Sequence, residues 1–169
     1  MKKRSARPTT KSAFFIKKLA SRKPSVVKYA YEKLYRSLKT GHKRSLIKVR
    51  ELLDHPNESV KRRAMVLLEK AKDKEAIPKI LSLALEGNAK TRKSAIVGLS
   101  IFTDIEIIRP LIRVLAEPEL GSFAKITIEH IMGNNTQKGE RILRLHGLRS
   151  KNPLVVQRVE EILIGFGLN

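Results

Sequence analysis

The chain has 169 residues, no cysteine and a formal net charge of +20 at pH 7. Its length allows one continuous core, and the absence of cysteine excludes disulfides, thiolate metal sites and cysteine nucleophiles. A charge this large favours a polyanionic partner, because self-repulsion opposes folding unless anions neutralise it. Abundant Lys, Ile and Leu without Cys are also typical of a thermophilic source.

Residues 1–10 lie outside any periodic pattern and are predicted to form a basic N-terminal arm. Residues 1–31 carry ten Lys or Arg and no Asp or Glu, and a basic arm of this composition is expected to order only against a polyanion. The apolar run Ala13–Ile16 is too short for a signal peptide or a membrane span, so we expect a cytoplasmic protein. The predicted nucleic-acid contacts in this segment are Lys2, Lys3, Arg4, Arg7, Lys11, Lys17, Lys18, Arg22, Lys23 and Lys28.

Residues 11–169 repeat with a period near 32 residues. Apolar residues, with Thr91 as the one exception, stand four positions before and after a central small or apolar residue, as one face of a helix requires. A short turn precedes each such second helix, with Asn57 as a predicted cap, and an amphipathic first helix precedes each turn. The pattern predicts ten helices in five hairpins. The central residues are Ala30, Ala64, Ala95, Thr127 and Val159, separated by 34, 31, 32 and 32 residues.

The stretch AIPKILSLALEGNAKTRKSAIVGLS, residues 76–100, resembles the HEAT repeats. Ile77-Pro78 and its echo Arg109-Pro110 carry the resemblance, together with Val60-Lys61 and Thr91-Arg92, each followed by an alanine three residues on. The resemblance covers about residues 11–167 and implies an all-α, right-handed α-solenoid of about five hairpins, with the second helices on its concave side. It implies no particular activity, because HEAT arrays serve many partners.

One column of the aligned second helices is basic in four repeats out of five. It stands two positions before the central residue, about 160° from the core stripe at 100° per residue, so its side chains project outward. Hairpins that stack about 8–10 Å apart would place four such charges along roughly 25–30 Å, the scale of a nucleic-acid backbone. The column is Lys28, Arg62, Lys93, Lys125 and Gln157; neighbouring positions add Tyr29, Arg63, Lys90 and Arg158 as predicted nucleic-acid contacts.

Structural alternatives exist for several of these positions. For the basic column the alternative is a solvated face that binds no ligand. In HEAT repeats, the residue matched by Lys61 and Arg92 commonly bonds to an acidic residue of an adjacent repeat, for which Asp73 and Asp104 are candidates.

The aromatic and apolar residues beside the basic column either contact a ligand or pack in the core. Tyr29 is the candidate for stacking on unpaired bases, whereas Tyr31 and Tyr35 are better explained as cover for the first core. Val66 and Val97 fall on the outward side and either contact a partner or pack against the first helices.

No catalytic or metal-binding arrangement is predicted. The four histidines fall in different hairpins without ligand spacing. The HEAT-like deoxyhypusine hydroxylases have His-Glu pairs, but this chain has only the reverse order, Glu129-His130. The HEAT-like alkylpurine DNA glycosylases use tryptophans, and this chain has none. We therefore expect no enzyme activity, no metal and no cofactor.

The leading hypothesis is a non-catalytic nucleic-acid-binding protein. RNA is favoured over DNA, because a basic, acid-free extension on a small compact domain is typical of ribosomal and other ribonucleoprotein components. The alternatives are a scaffold that binds an acidic protein partner and a DNA-binding HEAT protein. A membrane surface is disfavoured, because no amphipathic anchor with bulky apolar residues is sustained in the N-terminal segment.

Overall fold

In the computed structural model, residues 11–168 are described and form helical hairpins, with no strand in that range. The all-α prediction is therefore confirmed, as are its five hairpins. The odd-numbered helices below are the first helices of the hairpins and the even-numbered ones the second. They are α1 (Lys11–Lys18), α2 (Pro24–Lys39), α3 (Lys43–Glu51), α4 (Glu58–Lys70), α5 (Ile77–Glu86), α6 (Ala89–Leu99), α7 (Ile108–Leu111), α8 (Gly121–Met132), α9 (Thr136–Ile142) and α10 (Pro153–Gly165).

Asparagine side chains start several of these helices. Asn57 Oδ1 accepts a hydrogen bond from the Ser59 amide at 2.9 Å, as predicted, and Asn88 Oδ1 accepts one from the Thr91 amide at 3.0 Å. Each bond satisfies an amide that has no partner within its own helix. Asn135 and Asn152 cap α9 and α10 in the same way.

The chain forms two compact units, Met1–Asp73 and Lys74–Asn169, called unit 1 and unit 2 below. Unit 1 contains α1 to α4, and unit 2 contains α5 to α10. The predicted basic arm, residues 1–10, lies outside the described residues.

The core of unit 1 lies between its two hairpins. Helix α1 packs on α2, α3 packs on α4, and the second helices α2 and α4 lie side by side. Ala30 and Leu34 of α2 and Ala64 and Leu68 of α4 are fully buried. The predicted apolar stripe is therefore the surface on which this unit packs.

Unit 2 repeats this arrangement with three second helices. Helix α8 packs against both α6 and α10, and Ala95, Thr127 and Val159 are buried at the centres of the three helices. Thr127 Oγ1 donates a hydrogen bond to the Ile96 carbonyl at 3.0 Å. This bond explains how a polar residue occupies a core position without an unsatisfied hydroxyl.

The last two first helices are irregular. Helix α7 continues as a 3₁₀ segment, Ile112–Ala116, and α9 continues as a π-helical segment, Leu143–Gly147. A Cβ on Gly147 would lie 2.6 Å from Val159 Cγ2, so only glycine lets this wider turn approach α10 so closely.

Candidate nucleic-acid interface

The positive charge is concentrated in one unit. Unit 1 has 22 Lys or Arg against 6 Asp or Glu, a net charge of +16, whereas unit 2 has 14 against 10, a net charge of +4. Both units have a similar hairpin construction, so the difference does not follow from the fold. It identifies unit 1 as the part of the chain with the stronger attraction for a polyanion.

Lys28 and Arg62 represent the basic column in unit 1. Lys28 is exposed on α2, and Arg62 is half-buried on the neighbouring helix α4. Arg62 Nη2 makes one long hydrogen bond, 3.4 Å, to Ser59 Oγ. Among the described residues, neither side chain has a carboxylate partner within ion-pair distance. Both charges therefore stay available to an anion.

The turn between α1 and α2 adds more exposed cations. Lys17 and Lys18 end α1, and Arg22 and Lys23 stand in the turn that leads to α2; all four residues are exposed. These predicted contacts thus lie in one short stretch of unit 1 together with Lys28. Four further predicted contacts, Lys2, Lys3, Arg4 and Arg7, lie outside the described residues, as does the side chain of Lys11.

Arg63 is used inside the protein. Its Nη1 donates a hydrogen bond to the main-chain carbonyl of Leu19, just beyond the end of α1. This bond satisfies a carbonyl that the helix itself leaves without a partner. We therefore assign Arg63 to the packing of unit 1 and remove it from the set of phosphate contacts.

The acidic partner expected for Lys61 is wrong. Lys61 Nζ lies 2.8 Å from Oε1 of Glu58, in its own helix. Asp73 instead accepts hydrogen bonds from Nε and Nη2 of Arg50, at 2.6 Å and 2.8 Å. The reason is geometric, because the planar guanidinium matches both carboxylate oxygens and an ammonium matches only one.

Three aromatic rings form a cluster at the start of unit 1, called the aromatic cluster below: Phe14, Phe15 and Tyr29. The Phe15 ring lies edge to face with both others, its centroid 5.4 Å from that of Phe14 and 5.8 Å from that of Tyr29. Lys18 Nζ lies over the Phe14 ring at 5.4 Å, and Lys33 Nζ lies over the Tyr29 ring at 5.3 Å. The contacts predicted from the sequence include Tyr29 and Lys18 but not Phe14 or Lys33.

Tyr31 and Tyr35 lie on the side of α2 that faces α4. Both are half-buried, with Lys70 Nζ over their rings at 5.6 Å and 5.9 Å. Burial raises the pKa of the nearby Glu69 carboxyl from 4.5 to about 7. Burial also raises the pKa of the Tyr31 hydroxyl, with a smaller contribution from Glu69. The position of both tyrosines supports a packing role.

The lysines of the basic column in unit 2 contact other side chains of the protein. Lys93 is exposed, with its Nζ 4.0 Å from the centroid of the Phe123 ring. Lys125 is only partly exposed, and its Nζ lies 3.1 Å from Glu129 Oε1 and 3.7 Å from Glu161 Oε2. The prediction of a freely available charge is therefore wrong for Lys125. Periodicity placed it correctly, but two carboxylates neutralise it.

Arg158 is also occupied within the chain. Its Nη1 donates hydrogen bonds to the main-chain carbonyls of Leu115 and Glu117, the latter at 3.2 Å. The guanidinium thus ties α10 to the end of the 3₁₀ segment that continues α7. We remove Arg158 from the phosphate contacts as well, and we retain Lys90, which is exposed at the start of α6.

Arg92 bonds to an acidic residue of the next repeat, as HEAT repeats lead one to expect, but that residue is not Asp104. Nη1 and Nη2 of Arg92 donate to the two carboxylate oxygens of Glu117 at 2.8 Å and 2.5 Å, and Nε donates to the Ala84 carbonyl at 2.9 Å. Asp104 pairs with Lys74 at 3.2 Å. Glu117 is the partner because it lies in the turn between the 3₁₀ segment Ile112–Ala116 and α8, within reach of the Arg92 guanidinium.

Sequence reasoning also did not include four arginines of unit 2, three on the first helices and their 3₁₀ continuation and one, Arg149, in the turn after Leu143–Gly147. Arg109, Arg113, Arg141 and Arg149 are exposed, and none of them pairs with a carboxylate among the described residues. Arg109 and Arg113 line a shallow cavity of about 410 Å³ together with His146. Their spacing of four residues was a detectable signal, because it places both on one helix face.

Within residues 11–168, no three or more His, Asp or Glu side chains are arranged to hold a metal ion. No helix of the same range has the length and apolar character needed to cross a bilayer.

The comparisons with known proteins address the repeat itself. The sequence profile of the HEAT repeats matches residues 44–125, just under half of the chain. Comparison with curated proteins gives no match. Among solved structures, the chain is similar to the crystal structure of an engineered protein, with a TM-score of 0.53 at 15% sequence identity. That similarity covers 90% of this chain and 77% of the other, and it concerns the fold alone.

The matched segment runs from α3 to the first half of α8 and contains the hairpins in which the repeat is most regular. HEAT repeats are scaffolds for interaction, so an interaction role is what the repeat by itself supports. Residues 44–125 therefore match the HEAT repeats, and the helical hairpins of the fold agree with that match.

Proposed function

We propose that this HEAT-repeat protein is a non-catalytic nucleic-acid-binding protein that prefers RNA and acts in the cytoplasm as part of, or together with, a ribonucleoprotein. The observation that supports it is the net charge of +16 in unit 1, with exposed Lys17, Lys18, Arg22, Lys23 and Lys28 along α1, the following turn and α2. Phosphate contacts from Lys and Arg release condensed counterions, which supplies most of the affinity of such surfaces.

The preference for RNA rests on the position of the positive charge, which is concentrated in the N-terminal part of the chain. A basic extension without acidic residues, joined to a small compact domain, is typical of ribonucleoprotein components. Exposed aromatic residues among the cations favour the same ligand class, because proteins read RNA mostly at unpaired bases. Unit 2 contributes Lys90 and Lys93 as secondary contacts.

Fluorescence anisotropy with a labelled RNA strand of about 20 nucleotides tests the proposal. If about six to ten phosphates are bound, affinity should fall by about 10³–10⁵ between about 50 and 200 mM salt. The double variant Lys23→Gln, Lys28→Gln should weaken binding, whereas the matched control Arg109→Gln, Arg113→Gln in unit 2 removes equal charge and should weaken it less. A DNA strand of the same sequence should bind more weakly.

Two results would overturn the proposal. One is the absence of binding to either strand at low salt, and the other is an affinity that does not change with salt. Equal affinity for RNA and DNA would remove the preference for RNA and leave general nucleic-acid binding.

A protein scaffold is the second candidate, and the second helices of unit 2 favour it. Val97 is 48% exposed on α6 and Ile126 is 62% exposed on α8, beside the neutralised Lys125. An outward face of this kind suits a protein surface better than a phosphate backbone. Copurification after nuclease treatment separates the candidates: a protein partner that is retained, and then lost in Ile126→Asp, would support the scaffold.

A further inference from the structure

The aromatic cluster presents two rings to solvent in the most basic part of the protein. Phe14 is 56% exposed and Tyr29 is 54% exposed, although both are large side chains that gain from burial. Phe15 is half-buried between them and touches both rings edge to face. The two exposed rings are therefore held by packing and lie no farther apart than the sum of their two distances to Phe15.

Each exposed ring has a lysine ammonium over it. Lys18 belongs to the same helix as Phe14, and Lys33 follows Tyr29 by one turn of α2. The electron-rich ring face attracts a cation, but at an exposed site this attraction is weaker than the stacking of a nucleobase on the same ring. A base therefore competes successfully with the lysine for the ring.

The displaced lysine gains a negatively charged partner, because each nucleotide of a strand is flanked by phosphates. An ammonium that leaves the ring finds a phosphate oxygen within the reach of its flexible side chain. Stacking and charge neutralisation thus come from the same pair of residues at each position, Phe14 with Lys18 and Tyr29 with Lys33. Replacing the lysine by a base over the ring needs both a ring and a nearby cation, and Phe14 with Lys18 and Tyr29 with Lys33 are two such pairs.

We propose that Phe14 and Tyr29 form a stacking platform for unpaired bases, so that the protein binds single-stranded nucleic acid in preference to duplex. This inference rests on the proposed function and adds the class of strand. In a duplex the bases are already stacked on one another, and only the phosphates are presented to a surface. A duplex then contacts the lysines and gains nothing from the rings.

Anisotropy titrations with three ligands of about 20 residues test this: a single RNA strand, the same strand in a duplex, and an abasic strand that has the phosphates without bases. The wild-type chain should bind the single strand more tightly than the other two. Phe14→Ala and Tyr29→Ala should each weaken binding to the single strand about 5- to 150-fold and change binding to the duplex and the abasic strand less than about 2-fold.

Two further variants separate stacking from disruption of the fold. Phe14→Tyr with Tyr29→Phe keeps both rings and should retain single-strand affinity. Ile47→Ala removes another exposed apolar side chain from the same unit, on α3, and should change none of the three affinities. Circular dichroism of all variants should match the wild type.

The possible failures differ from one another. If the alanine variants weaken all three ligands equally, or leave the single strand unaffected, the platform is wrong while nucleic-acid binding stands. If the wild-type chain binds the single strand, the duplex and the abasic strand equally, the preference for unpaired bases is wrong. If it binds none of them, the proposed function fails, and the platform fails with it.

Discussion

Lys125 Nζ lies 3.1 Å from Oε1 of Glu129, one turn further along α8. A second carboxylate, that of Glu161 on α10, lies 3.7 Å from the same nitrogen. Two negative charges thus surround a lysine that stands in the same repeat position as Lys28 and Arg62. Equal positions in a repeat therefore differ in the charge that they offer to a ligand.

Because Lys125 is paired and Lys28 and Arg62 are not, we expect substitutions at these three positions to affect RNA binding differently. Lys28→Ala and Arg62→Ala should each lower the slope of log affinity against log salt by about one, because each removes one phosphate contact. Lys125→Ala should leave the slope nearly unchanged, because its charge is already neutralised. Anisotropy titrations at several salt concentrations measure all three slopes.

The converse variant frees the charge instead of deleting it. Glu129→Gln combined with Glu161→Gln removes both carboxylates and should raise RNA affinity, with Lys125→Ala abolishing that gain. An equal loss of slope in Lys28→Ala and Lys125→Ala would contradict the assignment.

Glu69 should make the stability of unit 1 depend on pH. Glu69 is only 5% exposed, and burial raises the pKa of its carboxyl from 4.5 to about 7. The folded chain therefore holds this proton more tightly than the unfolded chain does. The resulting stabilisation is complete below pH 4.5 and is lost as the pH rises to about 7.

Glu69→Gln should remove this dependence, because the amide stays neutral at every pH. Above about pH 7 the variant should be more stable than the wild type, by up to about 3 kcal/mol. Thermal unfolding followed by circular dichroism at about pH 5 and about pH 8 tests this. Glu32→Gln, an exposed change on α2, serves as the control and should behave as the wild type does. A wild-type melting temperature that stays constant over this range would count against the prediction.

The Arg92–Glu117 pair should stabilise unit 2 through its geometry. Arg92 donates to both oxygens of Glu117 and to the Ala84 carbonyl. Arg92→Lys keeps the charge but can form only part of this network, and should lower the free energy of unfolding by about 1–3 kcal/mol. Arg113→Lys, at an exposed position, should change it by less than about 0.5 kcal/mol. Denaturant unfolding measures both, and similar values would show that charge alone matters.

Two glycines should respond oppositely to alanine. A Cβ on Gly121, at the start of α8, would lie 2.6 Å from the main-chain carbonyl oxygen of Leu115 and would also displace Arg158. Main chain cannot move aside easily, so Gly121→Ala should destabilise the protein by about 1–3 kcal/mol.

Gly165 ends α10, and a Cβ there would meet nothing within 4 Å. Gly165→Ala should therefore leave stability unchanged or raise it by up to about 1 kcal/mol, because alanine favours the helix. Thermal unfolding of the two variants gives the comparison. A destabilisation by Gly165→Ala as large as that by Gly121→Ala would show that close contact is not the cause.

The sequence by itself predicted the helical hairpins and their buried stripes. Ala30, Ala64, Ala95, Thr127 and Val159 all lie in the cores, as the repeat period indicated. This succeeds because apolar spacing along a helix is a local property: 100° per residue fixes which side chains share a face, whatever the helix later packs against. The caps succeed for the same reason, since Asn57 bonds only two residues away.

Only the tertiary structure decided which charges stay available. Arg63, Lys125 and Arg158 were all predicted contacts, yet a carbonyl or a carboxylate from another part of the chain occupies each of them. It also decided that Phe15 contacts both Phe14 and Tyr29, although Tyr29 lies fourteen residues further along the chain than Phe15. The partner of a side chain depends on the register between packed helices, and the period of a single helix contains no information about that register.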